Sequence, residues 1–213
     1  MRIITNAYLK NMTPKLSILT PTIPGREGQL SALQEKIHNQ LLHAGGSIMF
    51  SDHKSRMGDV EHLCLSDNRA RSIGAKRQAL ADIARGEYIA FVDDDDDIAD
   101  NYVAELLAAI ESGADCITFH QRAIYNGLES EVHFGVKNQD GPFTPGGITT
   151  RAPWHVCAWK REVVAGCLFG ESNYGEDLVW CQQARRRIKT GFHIPKVLHT
   201  YRHDAATTAA PES

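Results

Sequence analysis

Five consecutive aspartates, Asp93 to Asp97, follow directly on the apolar run Tyr88-Ile89-Ala90-Phe91-Val92. Adjacent carboxylates repel one another, and an oxygen-rich cluster of this charge suits a hard divalent cation such as Mg2+ or Mn2+. The preceding run is aromatic and β-branched and follows Gly86, the pattern of a buried strand. In open α/β sheets, ligands gather outside the carboxyl ends of the strands, so a metal and an anionic ligand would meet here. The plainer alternative is an acidic turn that caps the next helix, and that role is preferred for Asp97 and Asp100.

The elements that must position this cluster follow from periodicity. Residues 1–14 read as an irregular lead-in. Leu16 to Thr20 is a compact apolar strand closed by Pro21 and the Pro24-Gly25 breaker. Leu30, Leu33, Ile37 and Leu41 recur at helical spacing, and Ser47 to Phe50 reads as a second strand ending at Asp52. A helix is expected from Asn68 to Arg85, stopped by Gly86. Tyr102, Leu106 and Ile110 mark the next helix, with Asp100 as its N-cap and Gly113 as its stop, and Cys116 to Phe119 is a further strand. This βαβαβαβ order predicts an α/β fold with a mostly parallel central sheet flanked by helices. Beyond residue 120 the pattern loosens. The Gly- and Pro-rich residues 125–153 suggest hairpins or a mobile flap beside the site. Helical periodicity returns from Asp177 to Ile188, His193 to Tyr201 adds a strand, and Ala205 to Ser213 reads as a disordered tail.

Composition narrows the function classes. At 213 residues the chain is long enough for one domain with a sizeable core. A formal net charge of -3 provides no global basic field for nucleic acid. No apolar stretch approaches the roughly 20 residues of a membrane span, and Met1 to Pro14 lacks a secretory apolar region. Five cysteines, an odd number without a CxxC pair, favour reduced thiols and a cytoplasmic location.

Five segments, taken in order, resemble the GT-A-type, family-2-like glycosyltransferases. They are Leu16-Ser17-Ile18-Leu19-Thr20-Pro21-Thr22, Asp52, Gly74-Ala75-Lys76-Arg77-Gln78-Ala79-Leu80, Gly86-Glu87-Tyr88 with the aspartates, and Tyr174-Gly175-Glu176-Asp177. The resemblance spans Leu16 to Tyr201. It implies one GT-A domain over residues 15–204, with a nucleotide-binding half at 15–120 and an acceptor-binding half at 121–204. This chain departs from the family at Gln78, where the family often has Asn, and in the doubled acidity of the aspartate run.

The resemblance implies a metal-dependent transfer of a sugar from a nucleotide-diphosphate donor, UDP-sugars being the commonest, to an acceptor hydroxyl with inversion. The family's DXD motif maps onto Asp93-Asp94-Asp95. Asp93 would contact the ribose or the metal, Asp94 the donor, and Asp95 the metal, with Asp96 as a rival ligand. A later histidine completes the metal shell in some relatives; His199 is the candidate and His203 its competitor. Thr20, Pro21, Thr22 and Arg26 lie in the loop that would hold the nucleoside and phosphates, and Asp52 would accept from a base N–H. Lys76 and Arg77 would meet the donor phosphates or the base-binding loop, a solvated basic face being the alternative. Asp177 is implied as the general base, with Glu176 orienting donor or acceptor, although an acidic first helical turn accounts for the same pair. Trp154 and His155 fall in the acceptor-side segment, where an aromatic face can stack on a sugar ring. Trp159 reads as core, and Arg185-Arg186-Arg187 as a solvated face. Two other classes use similar residues: a nucleotidyltransferase and a non-enzymatic calcium-binding interaction domain. The acceptor is open among glycans, proteins, small molecules and modified nucleic-acid bases, as is the oligomeric state.

Overall fold

Leu16, Ile18 and Leu19 are fully buried because the first strand, β1 (Leu16–Thr22), is covered on both faces and paired on both edges. A strand so enclosed reads as a continuous apolar run rather than an alternating one. Its parallel neighbours are β2 (Val60–Ser66) and β3 (Tyr88–Phe91). The computed structural model describes residues 13–43 and 59–203. Residues 1–12, the expected strand at Ser47–Phe50, Asp52 and the expected tail lie outside the described residues.

Sequence reading missed β2, and Glu61 explains why. A charged residue interrupts the apolar pattern, yet Glu61 is buried within the strand. Its carboxylate accepts from the Ser17 hydroxyl at 2.6 Å, the Arg85 backbone N–H at 2.7 Å and the Arg85 guanidinium at 3.0 Å. Those partners make the burial tolerable.

Helices cover the two faces of the sheet in separate clusters. On one face α1 (Glu27–His43) and α3 (Tyr102–Ile110) supply Leu33, Ile37, Tyr102, Val103 and Leu106. On the other, α2 (Ile73–Ile83), the short α4 (Arg161–Val164) and α5 (Glu176–Arg185) supply Leu80, Val164, Trp180, Cys181 and Ala184. This is the layered α/β architecture that the element order implied.

Beyond β3 the sheet becomes mixed. It continues through β8 (Ala158–Lys160), β5 (Cys116–Tyr125), β6 (Leu128–Phe134) and β7 (Ile148–Arg151). β5 and β6 form a hairpin closed by Asn126-Gly127, with φ of 49° and 83°. Both central residues lie in the left-handed region that two-residue hairpin turns require. The Gly- and Pro-rich segment is therefore a hairpin followed by β7, which lies parallel to β6.

The last strand, β9 (Gly191–His203), runs parallel to β5 and antiparallel to the short β4 (Asp97–Ile98). Its register with β5 shifts twice, between Phe119↔Ile194, His120↔Val197 and Gln121↔His199. The bulge lets Ile194 and Leu198 both enter the core while His199 sits beside Gln121.

Three local expectations are corrected. Asp97 begins β4 rather than a helix, and the N-cap of α3 is Asn101, which makes no side-chain capping bond; Asp100 is instead an exposed partner of Lys36 at 3.4 Å. α2 starts after Asn68, where the Ser72 hydroxyl accepts from the Ala75 N–H at 3.1 Å. Gly86 does not end α2 by a left-handed turn. It lets the chain pass β1 so closely that a Cβ there would lie 2.5 Å from the Ser17 backbone nitrogen.

Candidate active site

The aspartate run leaves β3 as a turn in which the Asp96 N–H donates to the Asp93 carbonyl at 3.1 Å. Each of its five carboxylates has a cationic or imidazole partner within the protein. Asp93 accepts from Arg77 at 2.6 Å, Asp94 and Asp95 each lie 2.8 Å from Arg26, Asp96 lies 3.2 Å from His199, and Asp97 accepts from Lys36 at 2.9 Å. Repulsion among these charges therefore does not by itself demand a metal. Among the described residues, the carboxylates of this turn also do not gather as three ligands around one point.

The individual aspartates differ. Asp94 is buried and also accepts from the Thr22 hydroxyl at 2.6 Å, so it ties the turn to the carboxyl end of β1. Asp95 is the most open of the turn's first four, with 44 % of its side chain exposed. Burial, and then the charges of Asp93 and Asp96, push its pKa up to about 6. Burial also raises Asp96, only partly offset by His199. Asp93 ends below the ordinary carboxylate range because Arg77 outweighs its burial. Three buried polar atoms here lack a hydrogen-bond partner: Asp93 Oδ1, Asp96 Oδ1 and His199 Nε2. By donor type, two carboxylate oxygens, an imidazole nitrogen and the accessible Asp95 suit a divalent cation, although among the described residues no three of them bring ligand atoms within 4.8 Å of one another. The other ring nitrogen of His199, Nδ1, is 3.0 Å from the Gln121 side-chain nitrogen, which orients the imidazole. His203 lies four residues on, with its ring beside Tyr125.

Lys76 and Arg77 are neither solvated nor directed at open space. Lys76 is buried, 2.9 Å from Asp67 and 3.1 Å from the Thr22 carbonyl to which it donates. Arg77 is buried between Asp93 and Glu176 and donates to both. Asp67, at the end of β2, escaped sequence reading together with its strand. Its second oxygen is buried without a partner.

Glu176 and Asp177 open α5 after Gly175, whose φ of 74° is the left-handed conformation that glycine favours. The dipole of the helix stabilises acids at this end. Asp177 Oδ1 accepts from the Leu178 N–H at 2.8 Å and Oδ2 from the Trp154 indole at 2.9 Å. His155 Nδ1 lies 3.2 Å from the same Oδ2, without the alignment of a full hydrogen bond. Burial pushes the Asp177 pKa up, but His155, Arg77 and the Trp154 bond outweigh it and hold the group well below the usual carboxylate range. Burial keeps Glu176 above its ordinary value, more than Arg77 lowers it.

Trp154 and His155 thus meet the expected base directly. Arg185 is not part of a solvated face: its guanidinium lies over the Trp154 ring at 4.9 Å and donates to the Pro153 carbonyl and Asp140, both at 2.7 Å. Arg187 likewise donates to the Ala165 carbonyl at 2.5 Å, while Arg186 is exposed. Trp159 is fully buried, as core packing requires.

Two backbone donors lock the loop before α5 to α2. The Gly74 N–H donates to the Ser172 carbonyl at 3.2 Å, and the Ile73 N–H to the Asn173 side chain at 3.0 Å. A Cβ at Gly74 would lie 1.8 Å from the Gly170 carbonyl oxygen. Gly74→Ala is accordingly expected to cost about 1–3 kcal/mol by overpacking and to lower the Tm by roughly 2–10 °C, measured by thermal unfolding. An unchanged Tm would mean that the loop is not docked there.

Comparison with known proteins supplies the family. Residues 53–165, more than half the chain, match the model of glycosyl transferase family 2. Among solved structures, TarS of S. aureus, residues 1–349 in complex with UDP-GlcNAc, aligns with a TM-score of 0.61 at 13% identity, over 92% of this chain and 61% of TarS 1–349. The same fragment in complex with UDP aligns at 0.59 and 13% identity, over 89% of this chain and 61% of the other. The longer TarS structure aligns at 0.59 and 13% identity, over 89% of this chain and 37% of that one. This chain thus spans less than two thirds of each of those structures. No protein of curated function matches it. None of the described helices is long and apolar enough to cross a membrane. The α/β layers, the acidic turn after β3 and the family match over residues 53–165 agree: this chain has the GT-A fold and belongs to glycosyl transferase family 2.

Proposed function

We propose that the chain transfers a sugar from a uridine-diphosphate-type donor to an acceptor hydroxyl, with inversion, using Asp177 as general base. One observation carries the reading: buried Arg77 joins Asp93, on the turn after β3, to Glu176, beside Asp177. Donor-side and base-side carboxylates are thereby held as one rigid constellation, as an in-line displacement requires. UDP and UDP-GlcNAc in the TarS complexes support a uridine donor by analogy of fold.

The nucleoside would lie over the carboxyl ends of β1 and β2. Thr20, Pro21 and Thr22 line the first of these ends, and Asp67 closes the second with one unpartnered oxygen. Asp67 is thus the described residue best suited to accept from a base N–H. Asp67→Asn is expected to weaken nucleoside-diphosphate binding roughly tenfold, the scale of one hydrogen bond to a charged group, as read by titration calorimetry.

Asp95, Asp96 and His199, with the free oxygen of Asp93, would hold Mg2+ or Mn2+ next to the diphosphate. When bound, such a cation stabilises the charge that grows on the leaving phosphates. Arg26 would swing from Asp95 toward a phosphate when the donor arrives, being the more exposed of the two arginines in the site. Trp154 and His155 would orient Asp177 and border the acceptor hydroxyl, whose proton passes to the Asp177 carboxylate. Five unpaired thiols, four of them buried, suit the cytoplasm.

Thermal unfolding with nucleoside diphosphates, with Mn2+ or with chelator, tests the donor site. A ligand that binds only the folded chain must raise the Tm. A metal-dependent rise with UDP, lost in Asp95→Ala, is the expected result. No rise with any nucleotide, together with a rise from Ca2+ alone, would replace this reading with a calcium-binding domain. Release of pyrophosphate during turnover would replace it with a nucleotidyltransferase.

A further inference from the structure

Three histidines and a glutamate gather on β5, β6 and β9, with no part in the chemistry above. His120 on β5 and His133 on β6 are direct cross-strand partners whose rings stack 3.5 Å apart at 7°. His133 Nε2 is 2.8 Å from the carboxylate of Glu131, two residues earlier on the same strand. Ligand atoms of His120, Glu131 and His133 all lie within 4.8 Å of one another. From β9, His193 brings its Nε2 to 3.1 Å from His120 Nε2, while its Nδ1 is 3.0 Å from the Thr118 hydroxyl.

Stacked imidazoles repel one another once both are protonated, so the pair is best kept neutral. Facing ring nitrogens at 3.1 Å are close to the spacing of two ligands on one tetrahedral zinc, about 3.3 Å for bonds of about 2.05 Å. Neutral imidazoles with a single carboxylate suit zinc and its neighbours rather than magnesium or calcium. The Thr118 hydroxyl on His193 Nδ1 is the kind of outer partner that fixes a ligating ring.

We propose that His120, His133 and Glu131, with His193 as fourth ligand, form a zinc-class metal site separate from the aspartate turn. Binding requires the His120–His133 stack to tilt so that both rings address one ion. The ion would join three strands through side chains: β6, β5 and β9. It would brace β5 one residue before Gln121, which holds His199. The site therefore has a structural role rather than a part in sugar transfer.

The full chain, stripped with chelator and then dialysed against Zn2+ or titrated with Co2+, tests the proposal. One tightly bound equivalent, an intense tetrahedral Co2+ spectrum and a Tm rise of about 5–10 °C at hundredfold excess over Kd are expected. His133→Ala, with its side chain 25 % exposed, and Glu131→Gln should each weaken binding tenfold or more. Asp95→Asn should leave it intact. Should His120→Ala fail to fold, the two milder variants still decide the matter. Binding that survives in His133→Ala and Glu131→Gln, or that disappears in Asp95→Asn, would overturn the proposal, as would the absence of any bound equivalent.

Discussion

Asp177→Asn is expected to lower kcat by about 100- to 10,000-fold while donor affinity stays within a few-fold of the parent, the range for loss of a positioned general base. Asparagine keeps the shape but cannot take the acceptor's proton. Its amide also meets a donor where the carboxylate met two, the Leu178 N–H and the Trp154 indole. One bond is lost, and a stability cost of about 1–3 kcal/mol accompanies the rate effect. Steady-state kinetics on folded protein, with nucleotide binding measured in parallel, separates the two. A variant that keeps full kcat would remove Asp177 from catalysis and leave it a helix-capping residue.

The second large effect concerns Arg77. Its guanidinium is the shared partner of Asp93 and Glu176, and all three groups are buried or nearly so. Arg77→Met strands two carboxylates, and breaking such a buried arrangement costs about 3–5 kcal/mol, or roughly 10 °C in Tm. Arg77→Lys restores the charge but not the fork that reaches both acids, so partial recovery of stability without recovery of activity is expected. The sign with pH follows from the stranded acids. Without Arg77, Asp93 and Glu176 in the folded chain bind protons more tightly than when unfolded. The folded state then holds the extra protons, and the Met variant should regain stability as the pH falls toward their pKa values. Unfolding of parent and variant across pH 5–8, on either side of neutrality, checks this. A deficit that grows on acidification would mean that Arg77 acts through packing alone.

The first half of the fold was legible because β1 and β3 are enclosed on both faces and read as unbroken apolar runs. β2 was not, since Glu61 belongs to a polar network with Ser17 and Arg85 that only the folded chain reveals. Missing β2 also hid Asp67. The family resemblance named Asp93, Asp177, Arg77 and His199, but not their partners. Spacing along a chain cannot show that Arg26 neutralises Asp95, or that Trp154 and Arg185 brace Asp177 from residues far apart in sequence. The histidine cluster was equally hidden, because its members come from three strands joined only by tertiary pairing.

The double register shift of β9 makes this site unequally tolerant of length changes. Loops at the rim can gain or lose residues without disturbing which side chains face inward. The stretch from Pro195 to Leu198 cannot. Removing or adding one residue there would carry the far end of β9 round by one place, because side chains alternate along a strand. Leu198 or Thr200 would then stand beside Asp96 where His199 does now, although every residue type of the site would remain in the sequence.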